Sequence, residues 1–223
     1  MLNFKRLKET FNGKSEVGEK PSLKRNKRKE NKTIKRNSLY DAAYELFITK
    51  GINNTAIDDI VKKAGVAKGT FYLYFKDKYD IFDKIILKKS SVVIKEAMSE
   101  TEKNKEKFDD FIEAIIFFIN YLIEYFKNNK MLLKLIHKNL SWGIYRKAVY
   151  DIDTNEDMKR LVDIFMRNIN SGEYDIEDSG KTLFIILELT SSICYSGIIL
   201  EEPDNIDNMK PVLFKSIRKI LTK

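Results

Sequence analysis

The stretch TAIDDIVKKAGVAKGTFYLYFKDK, Thr55 to Lys78, decides how the rest of the chain is read. Ile57, Ile60, Val61 and Ala64 repeat at i, i+3, i+4 and i+7, the spacing of one helical face. Thr55 is placed to cap that helix, with Asp58 three residues on as a short-armed capping-box partner. Gly65 and Val66 turn the chain. Ala67 to Phe75 then restarts a short helix whose Phe71 and Phe75, one turn apart, face the same centre. Two short helices joined by a glycine turn, the second ending in aromatics, describe a helix-turn-helix, in which the second helix enters the DNA major groove.

Upstream, Leu39, Ala42, Ala43, Leu46 and Phe47 form an apolar face on a helix expected from Thr33 until Gly51 ends it. Residues 1–32 carry too few apolar groups for a continuous stripe and are read as a basic, mobile arm. Downstream, a fourth helix is expected from about Asp77 to Thr101, with Ile81, Phe82, Ile85, Ile86, Val93 and Ala97 inward. Phe108 to Phe126 is apolar on nearly every side, as in a helix surrounded by others. Its Asp109, Asp110, Glu113 and Glu124 argue against a membrane span, since charge at bilayer depth costs several kcal/mol. Further helices are expected at about 129–147, 155–170, 179–201 and 208–222. The resulting division is an arm (1–32), a helix-turn-helix domain (33–78), a linking helix (79–102) and a larger C-terminal domain (103–223), to which the resemblance described below assigns effector binding and dimerisation.

Composition agrees with an all-α chain. Of 223 residues only nine are Gly and three Pro, fewer turn residues than sheets and sandwiches need, and 43% are hydrophobic, enough for a core. The abundant Ile favours strands by type, but its spacing is 3 and 4 rather than 2. The net +8 is unevenly placed: Met1 to Ser38 holds 13 basic and 4 acidic residues, whereas Ser91 to Lys223 holds 19 and 22. A basic head on a slightly acidic body points to an anionic partner at one end, nucleic acid before membrane. A single cysteine, Cys194, forms no internal disulfide, and Met1 to Lys14 has no apolar run of signal length, so a reducing cytoplasm is expected.

With Phe71 and Phe75 inward, Lys68, Gly69, Thr70, Tyr72, Leu73 and Tyr74 are left outward. Lys68 suits a phosphate or a guanine edge, and Gly69 lets backbone approach a duplex. Thr70, Tyr72 and Tyr74 offer hydroxyls to phosphates, and Leu73 has only a thymine methyl to touch. Lys78 adds a cation at the start of the fourth helix. Leu39 to Ile85 resembles the DNA-binding domain of the TetR family of bacterial transcriptional repressors. The resemblance rests on Ala42-Ala43, Leu46-Phe47, Gly51, Thr55, Asp59-Ile60, Ala64-Gly65-Val66, Lys68-Gly69-Thr70, Tyr72, Tyr74-Phe75 and Asp77-Lys78, in order and spacing. It implies that Thr55, Lys68, Gly69, Thr70, Tyr72, Leu73, Tyr74 and Lys78 face DNA. Ala67, Leu73 and Tyr79 depart from the usual Ser, His and Glu, which changes the bases that can be read rather than the fold.

The resemblance also implies a C-terminal effector cavity and a two-fold interface. Glu113, Phe117, Phe118, Tyr121, Tyr125, Trp142, Phe165 and Glu188 are the candidate pocket residues, where acids beside aromatics would suit a lipophilic cation. Ser192, Ser196, Leu213, Ile217 and Ile220 are the candidate interface residues of a homodimer. Such a dimer requires double-stranded operator DNA with inverted half-sites. His137 is the only histidine, so neither a metal cluster nor a Ser-His-Asp set is expected, and no cofactor or catalytic residue is assigned. The expected protein is a ligand-responsive repressor. Its rivals are a DNA-bound protein of the same fold that recruits a protein partner without a small ligand, a helical enzyme, and a peripheral membrane binder.

Overall fold

The computed structural model describes residues 23–137, 156–171, 174 and 176–222. Among these the chain is all-α, in nine helices: α1 (Leu23–Lys50), α2 (Ile57–Ala64), α3 (Lys68–Tyr72), α4 (Lys78–Lys103), α5 (Phe111–Asn128), α6 (Lys130–Ile136), α7 (Glu156–Ile169), α8 (Ser179–Tyr195) and α9 (Ile206–Leu221). A short 3₁₀ turn, Lys105–Lys107, separates α4 from α5, and α8 continues into a π turn, Ser196–Leu200.

The first helix begins ten residues before Thr33, where it was expected. Pro21 precedes it, and from Leu23 to Lys50 there is neither Gly nor Pro, while Lys, Arg and Glu lose little rotamer freedom in a helix. An apolar stripe marks only the part of a helix that packs, and residues 30–37 are exposed ahead of the buried Leu39. Leu39, Ala43, Phe47, Ile60, Phe71, Phe75 and Ile81 form the centre shared by α1 to α4. Two edge-on aromatic pairs knit it: Tyr40 with Phe75 (5.2 Å) and Phe47 with Phe82 (5.6 Å).

Helix α4 is anchored by Asp77, whose side chain accepts the Tyr79 and Asp80 amides at 2.8 and 2.9 Å. Its 26 residues leave the first core at Ile85–Ile86 and enter a second, packing on α5, α6 and α7 through Val93, Ile94 and Ala97. The second core is closed by α8 and α9. Gly197, in the π turn, lets α9 start directly on top of it: a Cβ there would lie 2.9 Å from the Ile206 Cα. Helix α8 with its π turn is long and apolar enough to cross a membrane by composition, yet Leu183, Ile186, Thr190, Ser191 and Cys194 are buried against the other helices.

Candidate nucleic-acid interface and interior cavity

The sharp bend between α2 and α3 follows from Gly65, whose φ of 66° is the left-handed conformation that a glycine takes without steric cost. It sends the chain into α3, where Phe71 and Phe75 plug the core and the intervening residues are turned out. Lys68, Gly69, Tyr72 and Leu73 are exposed, Leu73 to 78%, and Thr70 and Tyr74 are half-buried on the same edge. The space beyond Gly69 is open, with no atom within 4 Å of a would-be Cβ. Six of the eight residues assigned to DNA therefore share one outward edge. Tyr79, exposed at the first turn of α4 beneath the Lys78 ammonium (5.6 Å from the ring centroid), adds an aromatic that the sequence reading had treated only as a departure from pattern.

Thr55 and Lys78 are placed differently. Thr55 is 1% exposed, and its hydroxyl donates to the Gly51 carbonyl at 2.8 Å, tying the end of α1 to the start of α2. It does not cap α2. That position is Ala56, whose amide donates to the Asp59 carboxylate at 3.5 Å, so the capping acid is Asp59 and not Asp58. The Lys78 ammonium donates to the carbonyls of Asn53 (3.1 Å) and Thr55 (3.2 Å), bracing the turn before α2 from the first residue of α4. Backbone carbonyls carry no sequence signature, which hid both roles. Asp58 instead pairs with Lys68, at 2.8 Å. The hydrogen bond from Lys68 to Asp58 raises the lysine's pKa and keeps it a cation.

In the second core a cavity of about 50 Å³ lies between α4, α5, α6, α7 and α8. Its wall is aliphatic, with Ile94, Ile119, Leu133, Leu161, Ile186 and Cys194 prominent, and Phe118 and Phe126 supplying aromatic rings. Two hydroxyls at this wall, Ser90 Oγ and Thr190 Oγ1, are buried without a hydrogen-bond partner among the described residues. Of the seven expected pocket residues that are described, Phe118 alone lines it. Glu113 is taken by Arg218, and Glu124 by Lys210 (2.5 Å) and Lys127 (3.2 Å). Glu188 is exposed, and Phe165 is buried against Phe111 (6.2 Å). Phe117 packs at a tilt against Phe108 (5.2 Å), and Tyr121 and Tyr125 are partly buried outside the cavity wall. Trp142 lies outside the described residues. An acid-lined pocket for a cation is thus replaced by an apolar one, because each of Glu113 and Glu124 has a cationic partner on another helix.

The expected interface residues divide by helical phase. Leu213 (3% exposed) and Ile217 (0%) are buried in this chain's own core and have no surface to offer a second copy. Ser192 is exposed, and Ser196 and Ile220 are half-buried. On α8, its π turn and α9 the exposed large apolar residues are Ile185, Leu200 and Val212, the last adjacent to the buried Leu213.

Residues 39–85 match the model of the bacterial regulatory proteins of the tetR family. The HTH-type transcriptional regulator YhgD of Bacillus subtilis (strain 168) is 25% identical over 162 residues, 70% of this chain and 81% of that protein. A protein from Syntrophomonas wolfei described as a TetR-family transcriptional regulator superposes with a TM-score of 0.57 at 23% identity, covering 85% of this chain and 95% of the other. The regulator FadR of Bacillus subtilis, solved in complex with stearoyl-CoA, gives 0.56 at 18% identity, covering 81% and 96%. By the order of motifs from Ala42 to Lys78, the outward edge of α3 and the match over residues 39–85, this chain carries a helix-turn-helix domain similar to that of the bacterial regulatory proteins of the tetR family, set on an all-helical body.

Proposed function

We propose that the protein is a cytoplasmic, non-enzymatic repressor. On this reading it binds an operator of inverted half-sites as a homodimer and is released by a small apolar effector in the cavity. One observation carries the coupling. Helix α4 braces the reading unit through Lys78 and, twelve residues on, about 18 Å along its axis, contributes Ser90, Val93 and Ile94 to the cavity wall. A ligand that pushes on Val93 and Ile94 tilts the same rod that seats α3. By linkage, ligand and operator then weaken each other by one factor, about 1 to 3 kcal/mol. The two unpartnered hydroxyls favour a ligand with a polar group on an otherwise apolar body. The ligand named with FadR, a long acyl chain on a polar carrier, is of that general kind.

In this reading residues 33–78 read DNA, 79–102 transmit, and 103–223 bind ligand and pair the subunits. The two-fold face is formed by Ile185, Ser192 and Ser196 of α8 and its extension with Val212 and Ile220 of α9, whose phase leaves Leu213 and Ile217 to the monomer core. The small size of the cavity favours a second reading: about 50 Å³ is well below the several hundred usual for ligand pockets, as in a DNA-bound protein that recruits a protein partner instead.

The test selects bound fragments from genomic DNA, footprints one, and repeats the footprint with Lys68→Ala and Tyr72→Ala combined. Two symmetric protected half-sites, lost in the double variant, are the expected result. Retained sequence-specific protection by the double variant overturns the residue assignment.

A further inference from the structure

We infer that α3 selects its half-site by the C5-methyl groups of thymine, packed against Leu73, and not by guanine edges. This rests on the helix-turn-helix reading above and names the base chemistry of the same surface.

The usual readers are missing. From Thr55 to Lys103 there is no Arg, Asn or Gln, and the chain has no Gln anywhere. These are the side chains whose paired groups span two atoms of one base, Arg on guanine and Asn or Gln on adenine. Helix α3 and the residue after it offer Lys68, Thr70, Tyr72 and Leu73, around the bare Gly69 and the buried Phe71. A single hydroxyl, as on Thr70 or Tyr72, bonds to more than one base and discriminates little.

The charged groups are already engaged. Lys68 is the only lysine on α3, and its ammonium lies 2.8 Å from Asp58, so a guanine edge has to displace a carboxylate. The same pair occupies Asp58, the acid that could accept from cytosine. Lys63 is held by Glu45 at 2.5 Å, and Lys78 by the carbonyls of Asn53 and Thr55. Lys62 and Lys76 lie off α3 and are left for phosphates, which fix position without carrying sequence.

What remains on α3 to tell one base from another is apolar. Leu73 is 78% exposed, the most exposed large apolar side chain among the described residues, whereas Leu39, Leu133 and Leu221 are at most 1% exposed. It ends α3 with helical backbone, φ −71° and ψ −20°. One turn before it stands Gly69, with no atom within 4 Å of a would-be Cβ, so no side chain at that position screens Leu73 from an approaching groove. The neighbouring Tyr72 is exposed as well, and its ring rests edge-on against Phe71 (5.5 Å), which fixes it beside Leu73. In the major groove the thymine methyl is the apolar group that marks a base, and packing it against Leu73 removes both from water.

Other occupants fit this edge worse. Two side chains fall far short of the roughly 20 to 30 residues a side of a stable protein interface. Asp41 to Asp80 holds six basic and six acidic residues, so the unit has no net charge with which to hold an anionic bilayer. A lone surface leucine is ordinary. This one stands on the edge assigned to the groove, where the paired hydrogen-bonding side chains are missing.

The test starts from a fragment footprinted with the full chain and replaces each protected thymine in turn by deoxyuridine, which lacks only the methyl group. At one or two positions in each half-site affinity falls about fourfold per methyl. In Leu73→Ala the same positions become indifferent to uracil, while Leu73→Met, which keeps an apolar tip, retains the penalty. Replacing protected guanines by 7-deazaguanine, which removes the N7 acceptor, leaves affinity unchanged. Equal helix content by circular dichroism checks that the variants fold as the parent does. Half-sites protected as before but indifferent to uracil throughout overturn the inference and leave the helix-turn-helix reading standing. So do a protected half-site without thymine, a 7-deazaguanine penalty larger than that of uracil, and a uracil penalty as large in Leu73→Ala as in the parent. Sedimentation with anionic vesicles that Leu73→Ala abolishes assigns the edge to a bilayer and overturns the inference too. Absence of any protected half-site with the parent protein removes the underlying reading, and the inference with it.

Discussion

The Asp58 carboxylate lies 2.8 Å from the Lys68 ammonium, joining the first turn of α2 to the first turn of α3 on the exposed side of the helix-turn-helix. Both side chains are more than half exposed, so in solution the pair adds little to stability. Its effect falls on binding. On the proposed function, Lys68 exchanges a carboxylate for a phosphate or base edge, and Asp58 then faces the DNA backbone as a like charge. Asp58→Asn is therefore expected to tighten operator binding by about two- to fivefold, the range of an exposed ion pair of 0.5 to 1 kcal/mol. Fluorescence anisotropy at fixed salt measures it. Weaker binding by the Asn variant would mean that Asp58 holds Lys68 in its reading position rather than competing for it.

Thr55 separates a structural role from a DNA-facing one. Its buried hydroxyl donates to the Gly51 carbonyl, so Thr55→Val removes a hydrogen bond at nearly constant volume and leaves that carbonyl short of a donor. A loss of about 1 to 2 kcal/mol in denaturant unfolding is expected. Binding by the remaining folded protein should keep its salt slope. A slope shallower by a full unit with stability unchanged would return Thr55 to the DNA surface.

How much of this was legible beforehand depends on what each residue bonds to. Apolar spacing placed α2, α4, α5 and the inward Phe71 and Phe75 correctly, because periodicity records a packed face directly. The same logic missed α1 before Thr33, since those residues carry no apolar stripe to read. The contacts that Thr55 and Lys78 make within the fold were not legible, because their partners are main-chain carbonyls. The pocket was sought among aromatics and acids. The cavity is instead walled by Ile and Leu that look like ordinary core, while Glu113 and Glu124 are neutralised by Arg218 and Lys210, about a hundred and about ninety residues away in the chain. On α9 the apolar residues were not separated by face: Leu213 and Ile217, expected at the interface, are core, while the neighbouring Val212 is exposed.

The link between α5 and α9 gives a pH signature. The hydrogen bond from Lys210, with a second from Lys127, holds the Glu124 carboxyl below its ordinary value of 4.5, against the opposing effect of burial. A carboxylate whose folded pKa is depressed contributes stability that is complete above its unfolded pKa and is lost as pH falls through the folded one. The window thus opens below about pH 4.5. Glu124 is 43% exposed, so the contribution is on the order of 1 kcal/mol or less after solvent screening. Glu124→Gln should lower stability at pH 7 by that amount and make the variant's acid limb shallower than that of the parent. Parallel acid limbs in urea titrations at pH 3 to 7 would show that the pair is not formed in solution.

Cys194, the chain's single cysteine, offers a direct probe of the cavity that α4 shares with α8. It is 2% exposed, and burial pushes its thiol up to about 12. At pH 8 the thiolate fraction is then about a thousandfold below that of a free cysteine near 8.5 to 9. A disulfide reagent should leave the native protein unlabelled over minutes and take up one equivalent per chain on unfolding. Because Cys194 shares the cavity wall with Ser90 and Ile94, a ligand that fills the space without moving helices slows labelling further. One that drives α4 from α8 accelerates it. The acceleration should track loss of operator affinity across a series of apolar compounds, since both follow displacement of the same helix. Compounds that release DNA while labelling stays at its native rate would place the effector somewhere other than this cavity, and rapid stoichiometric labelling of the unliganded protein would contradict the burial of Cys194 itself.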